Sequence, residues 1–343
     1  MKKPPLLLLI PLAMLLLAAG FYLHHYVTFV HTPPALTNKE KRMVDTLFAT
    51  TKAQCVGRYV FEVPASFENT LRDRARINEV SISSKRLYRP AFEQRIRRRG
   101  QELQNGHTVD PSDQPFLKQM IRLSENAVIF DRNKNESVPG FGRTLEGHLY
   151  VNGVAFILTQ HITDYSDPRY KEERAFYLRD EAGRPAWMAN NKPQKLAKLQ
   201  DVMSRLSGRK DEEIPTQPGT FISEGFIRDG NGQPKENITF VYPHSPVFSL
   251  SVSTNTYLGA PASMLERSHE IQPYLTKINA RTLRKNKTQI AGFGADEWLN
   301  TAPSEKSPDN PSGQLLFNVI ANEKIVDFRH PIIDLTLSVL AQT

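Results

Sequence analysis

Cysteine is nearly absent from this 343-residue sequence, which contains only Cys55. A single thiol excludes an intrachain disulfide and any zinc site built from several thiolates, because both need at least two sulfurs. The composition is otherwise ordinary, with 39% hydrophobic and 23% charged residues. Disorder is therefore excluded for the bulk of the chain, which is long enough for two domains.

The motifs of several enzyme classes are missing as well. There is no Gly-x-Ser-x-Gly segment, so the sequence lacks the nucleophile elbow of an exported lipase or esterase. His269-Glu270 lacks the second histidine of a zinc-protease helix, and no glycine-rich segment continues into a dinucleotide or phosphate loop. We therefore assign no catalytic residue, cofactor-binding residue or metal ligand, and we predict that the chain is not an enzyme and needs no cofactor.

Two places leave an enzymatic alternative open. Asp296-Glu297 precedes Trp298 in a strand-like run, where successive side chains point to opposite sides. Cys55 stands beside a strand-like run, a position more typical of a buried thiol than of a nucleophile. The alternative is thus an exported envelope enzyme with a dispersed active site, for which Asp296 and Glu297 are the candidates.

Long hydrophobic runs are also scarce, and the candidate for a membrane span extends from Leu6 to Leu23. A helix of that length would cover roughly 27 Å, close to the thickness of the bilayer's hydrocarbon core. Lys2 and Lys3 precede it and place the N-terminus in the cytoplasm. We predict that residues 1–34 are a transmembrane anchor or, alternatively, a signal sequence cleaved after Gly20. Either interpretation exports the rest of the chain.

Charge is unevenly distributed along the sequence. The formal net charge is +8, and ten basic residues against three acidic ones fall between residues 72 and 99. Export argues against nucleic acid as a partner for this basic stretch. Three interpretations remain for it, namely a solvated face, a contact with anionic membrane lipid or a contact with an acidic protein.

Residue spacing predicts helices and strands without a regular βαβ alternation, so the fold class is α+β with mostly antiparallel sheets and flanking helices. Asn152-Gly153 predicts a hairpin with a type I′ turn. Helices are predicted over 38–51, over 91–103 and from Pro193 to Gly208.

The polar segment 209–219 contains two prolines and is the best candidate for a domain boundary. It divides the exported part into an N-terminal α+β domain, residues 35–210, and a C-terminal α+β domain, residues 218–343. In the second domain we expect residues 221–228 to form a hairpin with 238–242. We also expect a strand over 248–252, a helix near 262–271 and strands at 279–284, 288–293, 314–321 and 332–340.

Four segments of the exported part have a recognisable order and spacing. They are Cys55–Pro64, Pro218–Gly230, Leu283–Leu299 and His330–Leu340. Together they resemble the type VI secretion immunity proteins that neutralise a lipase effector, specifically the fourth lipase-immunity class. The resemblance covers residues 40–343, nearly the whole exported part.

This resemblance implies a periplasmic antitoxin that protects the cell from self and sibling intoxication. Its two domains would grip a secreted phospholipase or lipase and block the access of lipid to the enzyme's active site, closing like jaws about the segment near 209–219. The resemblance implies no catalytic residues, and the sequence assigns neither the effector-binding residues nor the oligomeric state. Residues 6–23 would tether the protein to the inner membrane. Besides the dispersed-site enzyme, a scaffold protein of an envelope complex is the remaining alternative.

Overall fold

The computed structural model describes residues 37–70, 73–179, 185–245, 248–259, 262–290, 292–303 and 313–340. Its helices are α1 (Asn38–Leu47), α2 (Arg89–Gln104), α3 (Lys171–Arg179), α4 (Lys192–Arg205) and α5 (Ser268–Lys277). The strands up to α4 are β1 (Thr51–Val56), β2 (Tyr59–Pro64), β3 (Arg74–Ile77), β4 (Val80–Arg86), β5 (Leu117–Ser124), β6 (Ala127–Asn133), β7 (Gly142–Val151) and β8 (Val154–Thr163). The strands after α4 are β9 (Leu206–Gly208), β10 (Gly219–Ile222), β11 (Gly225–Arg228), β12 (Glu236–Ser245), β13 (Phe248–Asn255), β14 (Arg281–Ile290), β15 (Phe293–Pro303), β16 (Gly313–Ala321) and β17 (Ile332–Leu340).

Most strands belong to one large sheet of twelve strands, in the order β14-β15-β16-β17-β13-β12-β3-β4-β8-β7-β6-β5. Each neighbouring pair in this order is antiparallel. The pair β1-β2 and the trio β10-β11-β9 form two smaller antiparallel sheets. The architecture is mostly antiparallel sheet with a few helices, as the α+β class predicts.

One face of the large sheet carries the main hydrophobic core. Side chains alternate between the two faces of a strand, and Ile238 and Phe240 of β12 both point to the core and are almost completely buried. Helix α4 covers this face with Leu199 and Val202, which are 0% exposed. Burying side chains of this size contributes about 1.5–3 kcal/mol each, so this face is the main source of stability.

The opposite face of the large sheet is covered near its two ends by described helices. Helix α2 packs Phe92, Ile96 and Leu103 against a cluster that includes residues of β6 and β8. Towards the other end, Leu275 of α5 packs with Trp298 of β15. The strands β17, β13, β12, β3 and β4 lie between these two helix-covered regions.

The two halves of the chain meet where β3 pairs with β12, with Ile77 opposite Glu236 and Arg74 opposite Thr239. The large sheet therefore continues from one half into the other. The expectation that two domains close like jaws about the segment near 209–219 does not describe this arrangement, because backbone hydrogen bonds between β3 and β12 link the halves within one sheet. The division into domains at 210 and 218 remains a prediction.

A buried ion cluster reinforces this junction. Arg58, between β1 and β2, donates two hydrogen bonds to Asp229, at 2.9 and 2.7 Å, and its Nε lies 3.7 Å from a carboxylate oxygen of Glu236. The hydroxyls of Thr220 and Thr254 donate to Glu236 at 3.0 and 2.7 Å. Burial raises the pKa of Glu236 in spite of these partners. A charge so deeply buried depends on Arg58 for compensation.

Several sequence predictions are confirmed. Helices α1, α2 and α4 lie where the spacing placed them, as do β13, β16 and β17. Helices α1 and α4 end earlier than predicted, at Leu47 and Arg205, because the chain continues into the strands β1 and β9. The hairpin of β7 and β8 turns at Asn152 and Gly153, whose φ angles of 52° and 76° are the positive values that a type I′ turn requires.

The predicted hairpin between 221–228 and 238–242 is wrong. Phe221 instead pairs with Phe226, because the chain reverses at Ser223 and Glu224 and gives the short hairpin of β10 and β11. Glu224 adopts a positive φ of 50°, which closes this turn. Strand β12 pairs with β13 and β3, where its apolar side chains complete the main core.

Two further boundaries differ from the prediction. The strands expected at 279–284 and 288–293 are divided differently, because the charged residues between them belong to the uninterrupted edge strand β14. Charged side chains are common on edge strands, where they discourage pairing with other chains. The helix expected near 262–271 begins later, at Ser268, and continues past Pro273 so that Leu275 is buried beside Trp298.

The polar segment 209–219 is held in place at its start. The Arg209 guanidinium is 4% exposed and donates to the backbone carbonyls of Lys210, Asp211 and Glu213. Within the described residues, no helix combines the length and apolarity needed to span a membrane. The predicted anchor, residues 6–23, lies outside the described residues.

We expect Arg58→Ala to lower the free energy of unfolding by about 3 kcal/mol, because the substitution leaves the carboxylate of Glu236 buried without its cation. Chemical denaturation of the full-length chain measures this change. Arg228→Ala, an exposed arginine on β11, is the matched control and should change stability by about 0.5 kcal/mol or less. Equal losses for the two variants would contradict the role assigned to Arg58.

Candidate partner-binding face

The central strands of the large sheet present a polar surface on the side opposite the main core. We call this surface the open face and define it by the outward side chains of five strands. These are Asp334, Thr336 and Ser338 of β17, Ser249, Ser251 and Ser253 of β13, Asn237, Thr239 and Val241 of β12, Arg74 and Arg76 of β3, and Ser81, Ser83 and Lys85 of β4. All of them are half-buried or exposed.

Strand alternation places these side chains together. In β13, the apolar residues Phe248, Leu250 and Val252 belong to the core face, so Ser249, Ser251 and Ser253 point the other way. The register then aligns one residue per strand across the sheet. One such row runs directly opposite from Asp334 through Ser253 and Thr239 to Arg74.

The open face spans both halves of the chain. Strands β17, β13 and β12 come from the C-terminal half, and β3 and β4 come from the N-terminal half. At about 4.8 Å per strand, the five strands extend over roughly 24 Å. A surface on one rigid sheet is presented in a fixed geometry, so a partner would meet both halves at once.

The chemistry of this face is dominated by hydroxyls and cations. Eight of its fourteen side chains are serine or threonine hydroxyls at β13, β17, β12 and β4, while Arg74, Arg76 and Lys85 are basic. Asp334 is its acidic member, and burial raises the pKa of this carboxyl although the hydroxyl of Thr336 donates to it at 3.2 Å. The face can therefore offer many hydrogen bonds and a net positive charge to a partner.

A cavity of about 300 Å³ adjoins the C-terminal end of the open face. Ser253 and Asp334 of the open face line it, together with Asn255 at the end of β13, and Arg267 and Glu323 line it from the neighbouring loops. Arg267 donates to Glu323 at 2.8 Å, and the backbone N–H of Met264 donates to the same carboxylate at 2.7 Å. Arg267 and Glu323 thus neutralise each other, and the cavity acts as a recess in the surface rather than as a catalytic centre.

At the N-terminal end, a buried carboxylate fixes helix α2 against the sheet. Glu146 of β7 accepts two hydrogen bonds from Arg99 of α2, at 2.7 and 2.8 Å, and one from Arg132 at 2.6 Å. Nε2 of His148 lies 2.9 Å from the same carboxylate. Burial alone would raise the pKa of Glu146, but these partners outweigh it and hold the pKa well below its usual range.

The basic stretch of the sequence divides into two groups. Three of its arginines are neutralised: Arg86 by Glu224, Arg89 by Glu93, and Arg99 by Glu146. Six others form no ion pair with any described residue, namely Arg74, Arg76, Lys85, Arg95, Arg97 and Arg98. Arg72 lies outside the described residues. The three interpretations of the stretch therefore concern mainly these six cations.

The candidates for an enzymatic site are not brought together. Asp296 is buried and accepts the backbone N–H of Leu265 at 2.8 Å, whereas Glu297 points to the other side of β15 and pairs with Arg284 at 3.1 Å. Cys55 is 1% exposed beside Phe221, and burial raises the pKa of its thiol. Asp296, Glu297 and Cys55 each have a structural role.

Metal ligation was not predicted, and within the described ranges no group of three or more metal-ligating side chains comes together. The open face was missed by the sequence interpretation. The signal for it was present in the alternation Phe-Ser-Leu-Ser-Val-Ser at 248–253, which marks one apolar and one hydroxyl side of a strand.

We expect Glu146→Gln to lower the free energy of unfolding at pH 7 by about 3 kcal/mol, because Arg99 and Arg132 lose their buried counter-charge. The folded-state pKa of Glu146 is depressed, so its stabilisation is present above the unfolded value of 4.5 and is lost as the pH falls below that value. Chemical denaturation at pH 7, 5 and 3 measures the free energy of unfolding of the variant and of wild type. The difference between the two should become smaller as the pH falls. Glu102→Gln, an exposed partner of Arg99, should cost about 0.5 kcal/mol or less at each pH. A difference that does not change with pH would contradict this account.

Comparisons with known proteins place these features in a family. The family model described as Tle cognate immunity protein 4 N-terminal domain matches residues 52–209, and the model described as Tle cognate immunity protein 4 C-terminal domain matches residues 213–343. No curated protein sequence matches the chain.

Solved structures share its fold. The crystal structure of a Tle4-Tli4 complex contains a chain that is 17% identical, with a TM-score of 0.65, and the match covers 86% of this chain and 88% of that one. The apo structure of TplEi, a T6SS immunity protein of Pseudomonas aeruginosa, is 15% identical, with a TM-score of 0.64 and coverage of 85% and 88%. At these identities the structures show likeness of fold. Because the two family models together match nearly all of the chain from residue 52 onward, the chain belongs to the Tle cognate immunity protein 4 family and is an immunity protein, not an enzyme.

Proposed function

We propose that this immunity protein binds a phospholipase or lipase effector of a type VI secretion system through the open face and blocks the access of lipid to the enzyme's active site. The observation that carries the proposal is the continuity of the open face across both halves of the chain. A solved relative bound to an effector, the Tle4-Tli4 complex, supports direct binding as the mode of action.

Occlusion explains how a protein without catalytic residues can neutralise a lipase. A lipase must expose an apolar opening to take up lipid, so a partner that covers the opening or fixes its lid stops turnover. The inhibitor needs only a surface that is rigid and complementary. A preformed sheet meets this requirement, because little conformational entropy is lost when it binds.

The area of the open face determines how much additional surface a stable complex with the effector must bury. Its five strands and about three outward side chains per strand offer roughly 400 Å². A stable protein complex buries about 800 Å² on each partner. We therefore propose that the exposed sides of α2 and α5, which flank the open face, provide the remainder.

The cellular location is part of the same proposal. We place the body of the chain in the periplasm, where a secreted lipase reaches phospholipid, and we assign residues 6–23 as its tether to the inner membrane. Lys2 and Lys3 and the length of this apolar segment support the assignment. A tether keeps the inhibitor beside the membrane that the effector attacks.

We expect Ser251→Tyr, at the centre of the open face, to weaken effector binding at least 100-fold, because the ring stands out from a surface that a partner must approach closely. Calorimetry and phospholipase assays with type VI lipases from the same bacterium measure binding and inhibition by the full-length chain in nanodiscs. Lys198→Tyr, an exposed position on α4 at the other side of the sheet, should bind and inhibit like wild type.

If wild type bound none of these lipases, the proposed function would fail. If Ser251→Tyr bound as tightly as Lys198→Tyr, the proposed function would stand and the docking surface would have to lie elsewhere.

We expect the full-length chain to sediment with inner membranes after cell fractionation and to resist extraction with alkaline carbonate. Replacing residues 1–34 by a cleavable export signal should release the body into the soluble periplasmic fraction, because the tether is then missing. Intact mass separates this case from natural processing, since cleavage after Gly20 would remove the first twenty residues. A processed, soluble natural protein would contradict the tether and leave effector binding unaffected.

A further inference from the structure

Six basic side chains of the N-terminal half lie on one side of the large sheet without a described counter-ion. Arg74, Arg76 and Lys85 belong to the open face, and Arg95, Arg97 and Arg98 lie on α2, which packs on the same side of the sheet. The acidic residues near them have other partners: Glu93 pairs with Arg89, and Glu146 is surrounded by Arg99, Arg132 and His148. These six cations therefore give this side of the N-terminal half a cationic field.

We infer that this field recognises an acidic protein surface on the effector, and that the basic half of the open face steers the effector into place. The inference rests on the proposed function, since it names the chemistry of the surface that the open face binds. Clustered charges of one sign repel one another and do not stabilise the free chain. A complementary acidic patch would convert this repulsion into attraction and accelerate encounter.

The arrangement of the cations on the strands supports one extended binding surface. Arg74 and Arg76 are two residues apart on β3, so they point to the same side at a spacing of about 7 Å. Arg76 lies directly opposite Ser81 of β4, and its guanidinium is held 5.5 Å from the ring centre of Tyr257. A cation over an aromatic ring remains charged and available to a second partner on its open side.

The shape of the sheet favours a protein over a lipid surface as the partner. Adjacent strands in a sheet turn by roughly 20° relative to one another, so the direction of the strands changes by about 80° from β17 to β4. Side chains on one face of such a sheet do not lie in a plane. A flat bilayer would reach some of them and miss others, whereas a folded protein can follow the curvature.

Hydroxyl groups between the cations add to this argument. Ser81 and Ser83 stand beside Lys85 on β4, and Thr239 stands opposite Arg74. Hydroxyls both donate and accept hydrogen bonds, and they satisfy carboxylates and backbone groups at fixed positions. Polybasic segments attract anionic membranes mainly through charge, so this ordered mixture of hydroxyls and cations favours the specific surface of a protein.

Charge reversal tests the inference. The open-face variant carries three substitutions, Arg74→Glu, Arg76→Glu and Lys85→Glu. The control variant carries the same change of charge at exposed lysines on α1 and α4, namely Lys39→Glu, Lys41→Glu and Lys198→Glu. The full-length chain is placed in uncharged nanodiscs, and its association rate with a lipase is measured by stopped flow. The lipase comes from the same bacterium and is one that the wild-type chain inhibits. We expect the association rate to fall at least tenfold for the open-face variant and less than twofold for the control.

The salt dependence of the wild-type chain provides a second measurement that needs no variant. Its association rate should fall at least fivefold between 50 and 200 mM NaCl, because the attraction is screened. The neutral triple variant Arg74→Gln, Arg76→Gln and Lys85→Gln should lose most of this dependence. Circular dichroism and the unfolding transition verify that each variant is folded. If the charge-reversed variant does not fold, the neutral variant takes its place in the comparison of association rates.

Each alternative outcome overturns the inference in a different way. If wild type inhibits the lipase but neither salt nor charge reversal changes the association rate, the acidic-surface inference is wrong and the proposed function stands. If the open-face variant instead loses binding to vesicles containing 30% phosphatidylglycerol and keeps its rate with the lipase, the field recognises lipid. If wild type does not inhibit the lipases, the proposed function itself has failed.

Discussion

The four-residue pairing between β3 and β12 is the constraint on which the rest of the molecule depends. It joins strands that lie more than 150 residues apart in the sequence and makes one sheet out of two halves. The ion cluster of Arg58, Asp229 and Glu236 lies beside this pairing and holds the first hairpin of the chain to the second half. Such a junction explains why both halves present their polar side chains on one surface.

A sheet with one buried face and one polar face needs few additional elements. The main core stabilises the assembly from one side, and α2 and α5 protect only the ends of the other. If the uncovered strands carried apolar side chains, they would expose a patch prone to nonspecific association. Serine and threonine avoid this liability, and they leave the surface able to make specific hydrogen bonds. Solubility of the free chain and recognition of a partner are thus met by the same residues.

Much of the fold could be predicted from local patterns, because the spacing of apolar residues and the turn at Asn152-Gly153 depend on neighbours in sequence. The pairing of β12 could not be predicted in this way. Its alternation of apolar and polar residues suits several partner strands, and the actual partners are β13 and β3, the second of which is distant in the sequence. The hairpin at Ser223-Glu224 was missed because two residues without glycine or asparagine gave a weak turn pattern. For the open face, the alternating serines were visible in the sequence, but their assembly with Arg74 and Arg76 requires the register between halves.

In the part of the chain that the structure describes, the dispersal of the candidate catalytic residues and the rigid polar face have a common physical explanation. Asp296 and Glu297, the strongest candidates for catalysis, point to opposite sides of one strand and are each used to hold a neighbouring segment. Other acidic groups are buried and engaged in internal contacts, as with Glu146 and Glu236. Of the cations of the basic stretch that have no described counter-ion, Arg74, Arg76 and Lys85 lie on the surface that both halves share. An inhibitor that acts by occlusion needs this division of charge, because groups already satisfied internally keep the sheet rigid while those left unpaired are free to meet a partner.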